Sequence, residues 1–545
     1  LISDLATGER AMPTKAALRR AARRDVEAIN AALTAAGYYG GKTKFLIDPT
    51  SDDDKPLVVF TIVPGPAFKV NAYRIVYSDP APSAEPASPR PMTLAALNVK
   101  GDGSAAGADL QRVQQSFLTA LWNAGYPAAR SVARRADADL ASGTATAVFS
   151  FESGPRAVFG DIRFTGAERT SEAYLQDLSN WDAGAPFDRS KLVGYRDSLA
   201  QTGLFSTIDV APGAPADDGA APVLVTLEER KRRTVGAGVS FSTAEGPGGR
   251  LFLEYRNLFG AGELARVDLE GTAIEQSIGF DFTKPLPAFP GSIFAQLDFR
   301  NETTEAFEAQ TVDIGVGLAK RWFDERFETR GGLAFETSSI DDGVNEERTF
   351  FFSAPLAAIW DTEDDPLTLS RGVRAALTLT PFTGSDTFTR AELTARSRVN
   401  AGAEDRFTLA GRVRLGATVG ASFDSLPLNQ RFFAGGGSSV RGFGFQEAGP
   451  LDADGDPTGG RSVVEAAVEA RARVWGDLQL AAFADAGNIS ENAVPDIGGD
   501  YFIGVGGGAR YFTPIGPIRV DVAIPLERRE TDRAFQLFIS LGQPF

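Results

Sequence analysis

The part of this chain best equipped for a specific interaction is residues 431–445, Arg431-Phe432-Phe433-Ala434-Gly435-Gly436-Gly437-Ser438-Ser439-Val440-Arg441-Gly442-Phe443-Gly444-Phe445. Its glycines open backbone conformations closed to other residues. An arginine among them, Arg441, needs a carboxylate if the segment folds into a low-dielectric interior. Asp485 is one candidate: in Phe483-Ala484-Asp485-Ala486-Gly487 it shares a face with Phe483 and opposes Leu480, Ala482 and Ala484. Glu469 points inward by the same parity. From these residues alone two readings stand: an Arg441 to Asp485 pair, or an exposed arginine on a mobile loop beside an isolated aspartate.

Ordinary catalytic sets are missing. The chain has 0 Cys and 0 His, so thiol nucleophiles, imidazole bases and Cys/His zinc sites are excluded together. Neither an enzyme activity nor a cofactor is expected. Gly504-Val505-Gly506-Gly507-Gly508-Ala509 fits a dinucleotide fingerprint on paper, but no helical pattern follows it. Asp452, Asp454 and Asp456 have calcium-loop spacing, yet Pro457 stands where the turn glycine belongs and Val463 where the bidentate glutamate belongs. With 55 Lys plus Arg against 71 Asp plus Glu, the net charge of −16 argues against a nucleic-acid partner.

The elements that must position Arg441 follow from hydrophobic period. Residues 1–230 read as three small α/β units, 1–66, 67–156 and 157–230, repeating every ~75 to 90 residues. In the first, Thr14 opens an amphipathic helix that Gly37 stops before Tyr38. In the second, Gly125 stops a helix before Tyr126 in the same way. The strand expected ahead of the first helix is largely missing, and no apolar leader precedes it, so the start of the chain is expected to be trimmed or processed.

From about Lys231 onward the period changes to two, as in Val235, Ala237, Val239 and Phe241 against Gly236, Gly238, Ser240 and Ser242. No run approaches the ~18 apolar residues of a membrane-crossing helix. Residues 231–545 instead predict a transmembrane barrel of about sixteen antiparallel strands, each of roughly 8 to 12 residues. Tyr255, Trp322, Trp360, Trp475 and Tyr511 then fall at the same end of even-numbered strands, as an aromatic belt would.

Val440-Arg441-Gly442-Phe443 resembles the Val-Arg-Gly-Phe/Tyr loop of the BamA/TamA superfamily of outer-membrane assembly proteins, and Phe483, Asp485 and Gly487 match its Phe-x-Asp-x-Gly barrel motif. The resemblance covers essentially the whole chain. It implies periplasmic POTRA domains of β-α-α-β-β order, three of them here, followed by an all-β outer-membrane barrel. It also implies that Arg441 anchors its loop inside the barrel through Asp485 and Glu469, closing the pore to small solutes. BamA-like members usually carry five POTRA units and two-partner secretion transporters two, so a count of three points to the TamA branch. That branch implies a TamB-like periplasm-spanning partner at the first unit, unfolded outer-membrane clients such as autotransporters, and the lipid bilayer.

Phe545, closing a run of alternating Phe535, Leu537, Ile539 and Leu541, resembles the terminal signal by which outer-membrane barrels are recognised for insertion. Pro544 cannot donate a ladder hydrogen bond, and Gly542 lies beside it. The first strand is equally light, with Gly236, Gly238 and Ser240. Closure between the first strand and Leu541, Gly542 and Pro544 of the last is therefore expected to be weak. The expected function is an insertase for client barrels, working by β-augmentation at POTRA edges and by this seam. Its rival is a two-partner-secretion-type pore for an unfolded exoprotein.

Overall fold

The computed structural model describes residues 14–48, 57–80, 90–216, 218–287, 289, 291–323, 326–363, 371–402, 406–513 and 516–542. The chain divides into two compact units, residues 1–167 with 178–229, and residues 168–177 with 230–545.

In the first unit, Thr14 caps the helix Lys15–Ala35 by accepting from the Ala17 N–H at 3.2 Å. Gly37 and Gly125 end their helices at φ +91° and +102°, a backbone region that glycine enters without steric cost. In both places the following tyrosine N–H reaches back into the helix, Tyr38 to the Leu33 carbonyl and Tyr126 to the Leu121 carbonyl. The helix Gly107–Asn123 buries Phe117 and Leu121 against Phe149 and Phe151 of the strand Thr144–Glu152. Each such side chain contributes roughly 1.5–3 kcal/mol.

Among the described residues the first unit holds one two-stranded and two three-stranded sheets. Lys42–Ile47 pairs antiparallel with Val58–Val63. Lys69–Tyr77 runs parallel to Thr144–Glu152, which also pairs with Arg130–Asp139. Val158–Thr165 runs parallel to Ala220–Glu229, which also pairs with Phe205–Pro212. Arg130–Asp139 is an edge strand with charged residues on both faces, so it carries no apolar alternation to announce it.

The second unit is a closed antiparallel barrel, sixteen strands among the described residues. The first is Arg233–Ser242 and the last Gln536–Gly542. The eighth is written in two pieces, Glu346–Ser353 and Leu356–Asp361, both paired to the same two neighbours without a change of register. Pro355, with no N–H to give, makes the interruption.

Several strands exceed the expected length: Glu308–Trp322 and Phe327–Asp341 have 15 residues each. Their extra turns of ladder are polar, for example Arg300 and Asn301 opposite Thr311 and Gln310. Such residues prolong pairing beyond hydrocarbon. The apolar members of the alternation point outward, as Val235, Val239, Ile314, Val316, Leu318, Val520 and Val522 do. Trp322 and Trp475 are the last residues of the sixth and twelfth strands, Ser462–Trp475 being the twelfth, and Trp475 is 84% exposed to the barrel's surroundings.

Candidate functional site

The connection between the eleventh strand, Phe407–Val419, and the twelfth folds inward and packs. Phe432, Ala434, Val440, Phe443 and Ala448 form one buried cluster with Val463 and Ile489 of the wall. Phe432 lies under the Arg390 guanidinium at 4.2 Å, and Phe443 meets Phe502 edge-on at 5.4 Å. The segment therefore folds against the wall as a plug with its own apolar core. Its apolar partners lie outside the segment, on the three strands that follow it, which is why its local composition does not show the packing.

Arg441 is 6% exposed. Its Nε donates to Asp485 Oδ2 at 2.6 Å and its Nη2 to Asp485 Oδ1 at 2.8 Å, a bidentate fork. Its backbone N–H donates to the same carboxylate at 3.2 Å, and its Nη1 to Glu469 Oε2 at 2.8 Å. The guanidinium carbon stands 3.4 Å from the centre of the Phe483 ring. The twelfth strand and the thirteenth, Leu478–Ser490, present these partners together, because Glu469 lies directly opposite Phe483 in their ladder, two residues from Asp485.

Four further charged residues complete the cluster. Asp521 is buried 3.6 Å from Arg441 and accepts from Arg519 Nε at 2.6 Å. Arg510 Nη2 lies 2.7 Å from Glu469 Oε1, and Arg471 Nε donates to that same oxygen at 2.5 Å. Arg510 and Arg519 face each other across the ladder between the fourteenth strand, Phe502–Thr513, and the fifteenth, Gly516–Pro525. Asp521 between them offsets that repulsion. The parity that places Glu469 and Asp485 inside also places Arg510 beside outward Tyr511, and Asp521 between outward Val520 and Val522. That signal gives their facing; their meeting with Arg441 and Glu469 depends on cross-strand register.

Small residues make room for the plug. A methyl built on Gly487 would stand 2.7 Å from Val440 Cγ2. Gly504, Gly506 and Gly508 leave space for Gly442, the Phe483 ring and the Asp521 carboxylate respectively. These glycines answer a packing need rather than a phosphate. Asp452 turns its carboxylate onto the N–H groups of Asp454, Gly455 and Asp456, each at 2.9 Å, and so closes its own turn.

The seam pairs Gly542 with Gly238, Leu541 with Val239 and Ser540 with Ser240, within a ladder of five register pairs among the described residues. Ten pairs join the first strand to the second, Gly246–Arg256. Gly236 lies against the Phe252 ring. Pro544 and Phe545 lie outside the described residues.

A closed sixteen-strand barrel with apolar outer faces and a plug anchored to its inner wall defines a transmembrane β-barrel. The family model for the Omp85 superfamily domain matches residues 257–545, and the POTRA model, described as a surface antigen variable number repeat, matches residues 157–230. The chain belongs to the Omp85 superfamily and is an outer-membrane protein with a periplasmic POTRA domain. It is 23% identical over 417 residues to a SAM50-like protein of Schizosaccharomyces pombe, covering 68% of this chain and 87% of that protein. It is 24% identical over 392 residues to the outer membrane protein assembly factor BamA of Nitratidesulfovibrio vulgaris, covering 66% of this chain but only 48% of the relative. Two solved structures share the fold. BamA from Haemophilus ducreyi lacking POTRA domains 1–3 gives a TM-score of 0.69 at 16% identity, over 87% of this chain and 99% of that one. CdiB from Acinetobacter baumannii gives 0.51 at 14% identity, over 99% and 100%.

Proposed function

We propose that this protein is an insertase of the TamA type, which helps client β-barrel proteins, autotransporters among them, to fold into the outer membrane. The observation that carries the reading is how light the seam is: Gly542 pairs with Gly238 and Ser540 with Ser240, and among the described residues five register pairs join these strands where ten join the first to the second. A ladder lined by Gly and Ser has little side-chain packing to lose on parting, and a parted seam offers an incoming strand a template of unpaired N–H and C=O groups. Each client strand then satisfies its backbone before it meets hydrocarbon, which avoids several kcal/mol per unsatisfied group. No covalent step is required. The edge strands of three POTRA-like units, residues 1–66, 67–156 and 157–230, supply a second pairing surface, and a TamB-like protein is the proposed partner of the first. The anchored plug keeps solutes from crossing while the seam works.

The likeness to CdiB sustains a second reading, a pore that passes an unfolded exoprotein through its lumen. Reconstitution into liposomes separates the two. The insertase reading expects an unfolded client barrel to become protease-protected several-fold faster with the protein present, at low ion conductance. Large open-channel currents, with a secreted polypeptide accumulating inside vesicles and no effect on barrel insertion, would overturn it.

A further inference from the structure

One carboxylate joins the plug to the seam. Glu245, in the turn between the first and second strands, accepts the Gly437 N–H at 3.1 Å. A methyl built on Gly437 would stand 3.1 Å from the Phe538 ring of the last strand. The tip of the plug thus touches the turn that ends the first strand and the start of the last. Its next residues are held by the eleventh and twelfth strands, where Arg412 Nη2 donates to the Ser439 carbonyl at 3.1 Å and Ser439 Oγ donates to Glu465 Oε1 at 2.5 Å. Glu245 is itself fixed: its N–H donates to Ser242 Oγ at 2.9 Å and its carbonyl accepts from Ala273 N at 3.1 Å.

The same end of the seam carries further ties, among them Thr243 Oγ1 donating to Gln536 Oε1 at 2.5 Å. The Thr243 N–H donates to the Leu537 carbonyl and the Leu537 N–H to Thr243 Oγ1, both at 3.0 Å. Between seam and plug lies a cavity of about 350 Å³ whose walls include Ser240, Ser242, Glu245, Gly437, Phe538 and Ser540. At this end Phe538 is also buried against Phe483 and Ala523, with Ala244 of the turn packed on them. What ties the plug tip to this end is the bond from Gly437 to Glu245 and the contact with Phe538.

We propose that Glu245 is a positioning residue that latches the seam to the plug, so that the first and last strands part at this end only when the plug tip leaves its seat. The inference deepens the seam-gated reading of function and rests on it for its biological meaning. It joins features far apart in sequence: the Arg441 anchor, whose Asp521 lies opposite Phe538 of the last strand, and the turn that ends the first strand are held by one strap. A hydrogen bond from an N–H to a carboxylate is among the stronger single contacts available to such a strap.

Hydrogen exchange on the full chain in lipid nanodiscs tests it, comparing the native protein with E245A, E245D and E245Q. E245A removes the acceptor, E245D withdraws it by one methylene while keeping the charge, and E245Q retains an acceptor oxygen without the charge. Peptides covering residues 238–242 and 536–542 are expected to exchange about tenfold faster in E245A and E245D, the effect of losing one hydrogen bond to a charged group. E245Q is expected to stay within about threefold of native for the same reason. Protection in the hairpin of the twelfth and thirteenth strands should not change in any variant. Native seam protection in E245A, or an E245Q that behaves as E245A does, or loosening of all ladders together, overturns the latch. Client insertion measured in parallel separates this inference from the functional reading: a faster-exchanging seam with unchanged insertion leaves the latch standing and removes seam gating.

Discussion

Gly442 in the plug and Gly504 on the barrel wall touch backbone to backbone: a methyl built on Gly504 would lie 2.6 Å from the Gly442 nitrogen, and one on Gly442 would lie 2.8 Å from the Gly504 α-carbon. The contact sits one residue from Arg441, so it sets how deeply the guanidinium reaches. Gly504→Ala is expected to lift the plug and to cost about 1–3 kcal/mol, the usual penalty for overfilling a packed site. Limited proteolysis should then cut within residues 431–445 while the barrel strands stay intact. Unaltered protease resistance together with an unaltered denaturant midpoint would show that the wall does not seat the plug.

Arg441→Ala leaves Asp485, Glu469 and Asp521 buried with one fewer cation. Removing one partner of a buried ion pair costs about 3–5 kcal/mol. The loss should appear as a lower denaturant midpoint and as ion conductance through planar bilayers. Arg441→Lys keeps the charge but not the fork onto Asp485, and should recover only part of both. Native stability and native conductance in Arg441→Ala would contradict the anchor.

Asp79 gives a pH-dependent signature outside the membrane. Burial pushes its pKa upward, but the N–H groups of Ser153 at 3.2 Å and Gly154 at 3.0 Å, with Arg90 at 2.9 Å, outweigh it and leave the carboxyl below its ordinary value. A carboxylate lowered on folding stabilises the native state fully above its unfolded pKa of about 3.9, and the contribution is lost as pH falls below that. Exchange protection in residues 144–154 should therefore weaken on acidification from pH 5 toward about 3, more steeply in the native protein than in Asp79→Asn. Parallel pH profiles for the two would count against the assignment.

How much of this was legible in the chain depends on the range of the interaction. Period-two alternation marks the barrel, and it also orients Asp485, Glu469, Asp521 and Arg510, because facing is a local property of a strand. Which of them meet is set by cross-strand register and closure, so Asp485 can be paired with Arg441 by resemblance while Asp521 and Arg510 pass unnoticed. The Gly-Tyr endings at Gly37 and Gly125 are local backbone chemistry and read directly. Arg130–Asp139 could not be read, since an edge strand wet on both faces has no apolar pattern. The plug is the extreme case: its glycines suggest motion, and only Val463, Ile489 and Phe502, brought from other strands, give Phe432, Val440 and Phe443 a core.

The account turns on the seam. Gly238 and Gly542 are register partners across it, and the chain has 0 Cys to compete, so Gly238→Cys with Gly542→Cys places a single disulfide there. With the protein reconstituted alongside an unfolded client barrel, oxidation should stop insertion and reduction should restore it, while each single cysteine variant remains active under both conditions. Complete crosslinking with insertion at the uncrosslinked rate would show that clients enter the bilayer without passing between these two strands.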